Sequence, residues 1–308
     1  MPNPRLIPLS GDGPEDVACL PSGELITGCA DGRILKIDPM SQRWQVLCCT
    51  GGRPLGIEVI NPDRLLICDA VRGLLQLDLP SGRLQVLVDQ FGGELLRFCN
   101  NATVAQDGTI YFSQSSQRHS LNAWRRDLVD HLPSGRLFKR TPDGEVILLA
   151  DQLFFTNGVT LTADQQSLIY AQSGHASLTR LWLGGAKAGT HEPFTAPLAG
   201  FPDNLSTDQY GLIWVALASK PDWRLHLIHH LPRVLRQWIG RIQQHLPIEP
   251  ESIVWAQAYN SQGELVRQIR LTHPQFKMVT GLRRHGHRLY LSSLVGSHLL
   301  QVDCPIAP

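Results

Sequence analysis

Residues 22–38 read SGELITGCADGRILKID: a turn, a short aliphatic strand, a polar loop, and a second strand that ends on Asp. The phrase returns at 63–78 (DRLLICDAVRGLLQLD) and at 287–303 (HRLYLSSLVGSHLLQVD). It returns as DGTIYFSQ (107–114) with SGRLFKRT (134–141), as QSLIYAQSGHASLTRLWL (166–183), and as YGLIWVALAS (210–219) with SIVWAQAYN (252–260). Second hairpins such as PDGEVILLA (142–150) and SQGELVRQI (261–269) lie between the copies. The spacing is irregular, but each copy is about one propeller blade in size. Alternating apolar runs bounded by Pro-Ser-Gly, Pro-Asp-Gly or Ser-Gln-Gly turns are strand signals. The expected fold is therefore all-β, a six-bladed β-propeller forming one domain over 1–308. A β-sandwich is the alternative, but six similar copies favour radial repetition, which leaves few sheet edges exposed. The lone strand-like RLIPL at 5–9 predicts pairing with the last blade near 299–303, closing the ring.

The bulk numbers agree with one large closed β architecture. The chain has 308 residues, 43% of them hydrophobic, enough for a sizeable core. Charged residues make up 18% and the net charge is +1, so no imbalance points to nucleic acid. The opening MPNPRLIPLSGDG has no apolar run of signal-peptide length, and no stretch is long enough to span a bilayer. The expected location is cytoplasmic. The seven cysteines (Cys19, Cys29, Cys48, Cys49, Cys68, Cys99, Cys304) show no C-x-x-C spacing and sit mostly among apolar neighbours. Buried thiols are the favoured reading over a disulfide framework or zinc site, with a Cys304 link to an N-terminal cysteine as the alternative in an oxidising compartment.

Two segments break the rhythm. Residues 114–134 (QSSQRHSLNAWRRDLVDHLPS) separate two strands of one copy and read as a partly helical excursion. Residues 220–247 interrupt the fifth copy. There Leu231, Val234, Leu235, Trp238, Ile239, Ile242 and Leu246 share one face at helical spacing, with Arg233, Arg236 and Arg241 off it. A helix packed over the channel mouth is expected; a helix touching a membrane surface is the less favoured alternative.

The usual catalytic signatures are missing: no G-x-S-x-G, no H-E-x-x-H, no phosphate loop and no dinucleotide fingerprint. What remains is a set of short polar pairs at the starts of copies. Glu15 and Asp16 sit in GPEDVACL, Asn100 and Asn101 in FCNNATV, Asn157 in FFTNGVTL, and Asp203 and Asn204 in FPDNLSTD. Each pair precedes an apolar strand at the corresponding point of a different copy. In a propeller those points open the innermost strands, which converge on the central channel. Carboxylate and amide oxygens are hard ligands that suit calcium or magnesium. Taken singly, Asn-Gly and Pro-Asp-Asn are ordinary turn sequences, so the inference rests on joint position. Histidines 119, 131, 226, 229, 230 and 245 lie in the two excursions, where solvated or capping roles are the plainer reading.

With these residues in view, the chain resembles strictosidine synthase-like proteins, paraoxonases and the gluconolactonase/regucalcin group, the first most closely. The phrases GRPLGIEV (52–59), NNATVAQDGTIYFSQSS (100–116), LPSGRLFKRTPDGEVILLADQLFFTNGVTL (132–161) and LAGFPDNLSTDQYGLIWVAL (198–217) carry the resemblance, which covers nearly the whole chain. It implies a central calcium held by Glu15, Asn100, Asn157, Asp203 and Asn204. It further maps a deeper structural calcium onto Asp16, Asn101 and the backbone carbonyl of Ile57. Asn101 stands where an aspartate is usual, which lowers the charge of that second site. The paraoxonase catalytic histidine would fall at Leu55, so that base is missing. Strictosidine synthase uses a late glutamate; here no acidic residue occurs between Glu264 and Asp303, which argues against alkaloid synthesis. The N-terminal anchor of the animal relatives is not expected in this chain.

The expected function is calcium-dependent hydrolysis of lactones or small esters, the metal polarising the carbonyl of a small-molecule substrate. Asp203 is the candidate for a second role, as general base toward water or as nucleophile, with His119 and His131 in reserve. The rival expectation is a calcium-stabilised propeller that binds a small molecule or a protein without turnover.

Overall fold

A computed structural model describes residues 4–243 and 249–304. Six four-stranded antiparallel sheets stand in a ring. Their innermost strands are Val17–Cys19, Pro54–Asn61, Cys99–Val104, Thr156–Leu161, Pro202–Thr207 and Val279–His285. Each touches the next in chain order, and the sixth touches the first, so the ring is closed. Closure is sealed by the N-terminal strand Arg5–Pro8, which forms the outermost strand of the sixth blade. Its register, with Leu6 opposite Leu300 and Ile7 opposite Leu299, is the pairing expected from RLIPL.

The core lies between blades rather than within them. Ile26 and Ile34 of the first blade pack with Ile57 and Ile67 of the second. Leu66 and Leu74 of the second meet Phe112 and Phe138 of the third. Burial on both faces explains the largely apolar second strands of the blades, such as Arg64–Asp69 and Ile213–Leu217. The outer strand Leu265–Thr272 instead alternates between exposed and half-buried positions, as a strand with one wet face does. The seven cysteines are free thiols, four of them buried and Cys49 exposed.

The two excursions are helical, as expected. Residues between the second and third strands of blade three form helix α1 (Trp124–Asp130). The interruption of blade five forms α2 (Trp223–His229) and α3 (Arg233–Gln243). Pro232 separates the two, because a proline favours a first helical turn and cannot donate an interior bond. The insertion lies over the channel mouth, as expected, but α3 does not pack by its apolar face. Its apolar face points outward: Val234 is 76% exposed, Trp238 62% and Ile242 45%. The helix rests on α1 through Gly240 instead, where an added Cβ would lie 2.8 Å from Asp130 Oδ1. Leu246 and His245 lie outside the described residues.

Candidate functional site

Five of the six innermost strands break their pairing register near their start. In the third, Cys99 faces Gln114 and Ala102 faces Phe112, so Asn100 and Asn101 together oppose Ser113 alone. In the fourth, Asn157 and Gly158 oppose Ala171; in the fifth, Asp203 and Asn204 oppose Ala216. The second strand does the same with Leu55 and Gly56, and the sixth breaks at Thr280. A bulge of this kind places an extra residue on one strand and re-aims its side chains. Here it turns the first member of each pair into the channel. In the first blade, Glu15 and Asp16 take the same place just before the strand. The polar pairs seen in the sequence are thus the blade entrances, brought together around one axis.

A cavity of about 770 Å³ opens onto that axis, with Glu15, Asn100, Asn157 and Asp203 among its lining residues. Asn204 joins them by donating from Nδ2 to Glu15 Oε2 at 3.1 Å. The side-chain oxygens Asn100 Oδ1, Asn157 Oδ1, Asp203 Oδ1 and Asn204 Oδ1 are buried and have no hydrogen-bond partner. Four orphaned oxygens beside a buried glutamate are costly unless something positive faces them. A hard divalent cation fits this donor set. Only two of the five donors are carboxylates, and among the described residues no cluster of three or more His, Cys, Asp or Glu side chains suits a metal. The fit therefore rests on amide oxygens.

The electrostatics of the bare ring agree. Burial, then the charges of Asp203 and Asp16, push Glu15 well above the usual carboxylate range, against the pull of Arg53 and the Asn204 bond. Burial also raises Asp203, to about 8; the Asn157 bond opposes it and Asp16 adds to it. A bound cation reverses this logic by favouring the ionised forms.

Asp16, Asn101 and Ile57 lie one layer deeper and do not fit a second ion. Asp16 Oδ1 accepts from the Val17 N–H at 2.8 Å and Oδ2 from the Ile57 N–H at 3.0 Å. Asn101 Oδ1 accepts from the Val159 N–H at 3.0 Å. The Ile57 carbonyl accepts from Arg283 Nη2 at 3.2 Å, and the same guanidinium pairs with Glu58 and donates to the Leu205 carbonyl. The oxygens that would hold a metal are engaged, and Arg283 brings the positive charge.

Part of the wall above the ring is apolar, while Arg125, Lys220 and Glu251 also line the cavity. Leu55, Phe98 and Phe155 pack together with Leu121, Trp124 and Leu128 of the first excursion. Phe98 and Phe155 meet edge to face at 5.5 Å. Phe98, Phe155 and Met278 all carry positive φ, at 54°, 53° and 54°. Such backbone is uncommon for large residues and clusters at functional sites. Each immediately precedes its innermost strand and lines the cavity. Sequence reasoning missed these residues, although a repeated signal was present: Phe98, Phe155 and Phe201 each stand two positions before a ring residue. It also missed Ser173, whose hydroxyl donates to the Pro202 carbonyl at 2.5 Å and accepts from Asn157 Nδ2 at 3.2 Å.

Leu55 occupies the second blade's ring position, as expected, and no histidine lines the cavity among the described residues. His119 is held by Asp130 at 3.0 Å, and His131 stacks on His229 at 3.9 Å in the helical cap. Neither reserve base is brought to the ring.

A six-bladed propeller with a carboxylate–amide ring at the end of a partly apolar channel defines the class. The strictosidine synthase family pattern matches residues 100–186, and the strictosidine synthase-like N-terminal pattern matches residues 2–37. Strictosidine synthase-like 10 of Arabidopsis thaliana is 32% identical over 276 residues, covering 82% of this chain and 72% of the relative. The adipocyte plasma membrane-associated protein of Salmo salar is 30% identical over 319 residues, covering 94% and 75%. The chain belongs to the strictosidine synthase-like family. Among solved structures, a gluconolactonase of Xanthomonas campestris superposes with a TM-score of 0.72 at 18% identity, covering 99% of this chain and 90% of that one. Regucalcin of Agrobacterium tumefaciens, a calcium-binding protein, gives 0.64 at 15% identity, covering 97% and 96%. At such identities these two show the shared fold. Among the described residues, no helix is long and apolar enough to cross a membrane.

Proposed function

We propose that the protein is a calcium-dependent hydrolase of lactones or small esters, working at the ring of Glu15, Asn100, Asn157, Asp203 and Asn204. The observation that carries this reading is a set of four buried, unpartnered side-chain oxygens, three on residues that line the cavity (Asn100, Asn157, Asp203) and one on Asn204, which is bonded to Glu15. Calcium held there would polarise the substrate carbonyl and favour the charge that develops on its oxygen. Leu55, Phe98 and Phe155 would surround the acyl or ring carbons and limit water to the ring itself. In this reading Asp203 takes the proton or attacks. It lies on the channel wall, its Oδ1 has no other partner, and no histidine competes for the task among the described residues. The gluconolactonase that shares the fold supports the reaction class, and the calcium-binding regucalcin supports the ion.

The test is a panel of lactones, aryl esters and phosphotriesters, assayed with and without chelator, beside calorimetric titration of calcium. Hydrolysis of a lactone or ester that chelation abolishes and calcium restores is the expected result. Calcium binding without turnover of any substrate would replace the hydrolase with a calcium-stabilised binding module.

A further inference from the structure

Seven of the seventeen large apolar side chains exposed among the described residues fall within the twenty positions 223–242. They include Trp223, Leu227, Val234, Leu235, Trp238 and Ile242. Scattered exposed leucines need no explanation; a concentrated patch with two tryptophans does. The patch is not a core face left loose. At 100° per residue, Val234, Leu235, Trp238 and Ile242 share one side of α3, and Gly240 and Arg236 lie on the other. That other side meets the protein: Gly240 is buried against α1, and Arg236 Nη1 donates to the His131 carbonyl at 3.4 Å. Helix α2 is fixed as well, through His229 Nε2 and the Leu128 carbonyl, 2.8 Å apart. The cap is therefore anchored by its polar and small residues with its apolar stripe turned to solvent.

We infer that this face docks on an anionic lipid surface. The charge around the patch selects that occupant. Arg224, Arg233 and Arg241 are exposed on the same two helices, and no acidic residue occurs between Asp222 and Glu249. Arginines flanking a tryptophan- and leucine-rich stripe on a short helix are the pattern of a helix that lies in the headgroup layer. Tryptophan itself favours that depth, with an apolar ring and a polar N–H. A second copy of the chain is disfavoured by the same charges, because a two-fold contact would set these cationic helices against each other. Trp223, Arg224, Leu225 and Gln243 of the same helices also line the channel cavity, so docking would turn the channel mouth toward the lipid.

The experiment is co-sedimentation of the full chain with vesicles of phosphatidylcholine alone and of phosphatidylcholine with phosphatidylserine, at low and at physiological salt. The wild type is expected to sediment with the phosphatidylserine vesicles and to be released as salt rises. A Val234→Ser/Trp238→Ser variant should bind about tenfold more weakly or worse, since each removed side chain gives up burial in the interface. An Arg233→Glu/Arg241→Glu variant should lose the preference for phosphatidylserine. Both should melt with the wild type, because the altered side chains are exposed. Absence of wild-type binding to either vesicle overturns the inference, as does unchanged binding by the first variant. So does a wild-type dimer that the serine substitutions dissolve without any lipid binding.

Discussion

Asn204 of the fifth blade bonds to Glu15 of the first: its Nδ2 donates to Glu15 Oε2 at 3.1 Å, over a sequence separation of 189 residues. The bond fixes both side chains at once. It spends the amide nitrogen on the glutamate and leaves Asn204 Oδ1 without a partner. The Glu15 main chain is held equally firmly, its carbonyl accepting from Thr280 Oγ1 at 2.6 Å and from Ser292 Oγ at 2.9 Å. The first, fifth and sixth blades are thereby tied at one point, where a cation would meet preorganised oxygens.

Calcium should therefore stabilise the fold. A ligand bound only by the native state adds about 2.7 kcal/mol at a concentration a hundredfold above Kd, a shift of several degrees. Chelator is expected to lower the melting temperature and calcium to restore it. Glu15→Gln should shrink that response. A melting curve indifferent to both reagents would remove the ring as a metal site.

Asp203→Asn separates holding the ion from doing chemistry. An amide can still coordinate but cannot accept a proton at neutral pH. At saturating calcium the variant should keep its metal and its fold and lose about a hundredfold or more in turnover. Full activity of the calcium-loaded variant would confine Asp203 to a ligand's role.

Arg283 should be worth more to stability than a surface cation. Its side chain is 14% exposed and that of its partner Glu58 is 26% exposed, and the charge also holds down the raised pKa of buried Asp16. Removing one partner of a mostly buried pair costs about 3 kcal/mol. Arg283→Met is expected to lose about that in denaturant titration, and adding Glu58→Gln should recover part of it. A loss under 1 kcal/mol, the range of exposed ion pairs, would mean that the guanidinium does not stand in for a second ion.

Acid should loosen the cap. Burial, followed by His229, His175 and Arg236, pushes the His131 imidazole down to about 3. Its ordinary value is about 6.5, so the native state favours the neutral ring. That contribution is complete above the ordinary value and is lost as pH falls from there toward about 3. His131→Asn, which tolerates the left-handed backbone at this position (φ 46°), should therefore melt below wild type at neutral pH, and the gap should close on acidification. A gap that stays constant from pH 7 to pH 4 would remove His131 from the acid response.

What the sequence determined by itself is the repeat and the ring. Six copies of one strand phrase dictate six similar sheets, and with few helices to cover them such sheets bury both faces between like neighbours. Polar pairs at the same point of four copies then fall on one axis by symmetry, which is why Glu15, Asn100, Asn157 and Asp203 were legible without coordinates. Other features required the packed chain. The bulges that aim the pairs inward depend on which residues lie opposite, such as Ser113 alone against Asn100 and Asn101. Arg283 is 226 residues from Ile57, and no local pattern places its guanidinium on that carbonyl. The face of α3 is the clearest case. Its apolar periodicity is plain in the sequence, but periodicity names a stripe and not the direction it points. That direction goes with Gly240, whose missing side chain lets α3 lie close against α1, and it left Trp238 facing solvent.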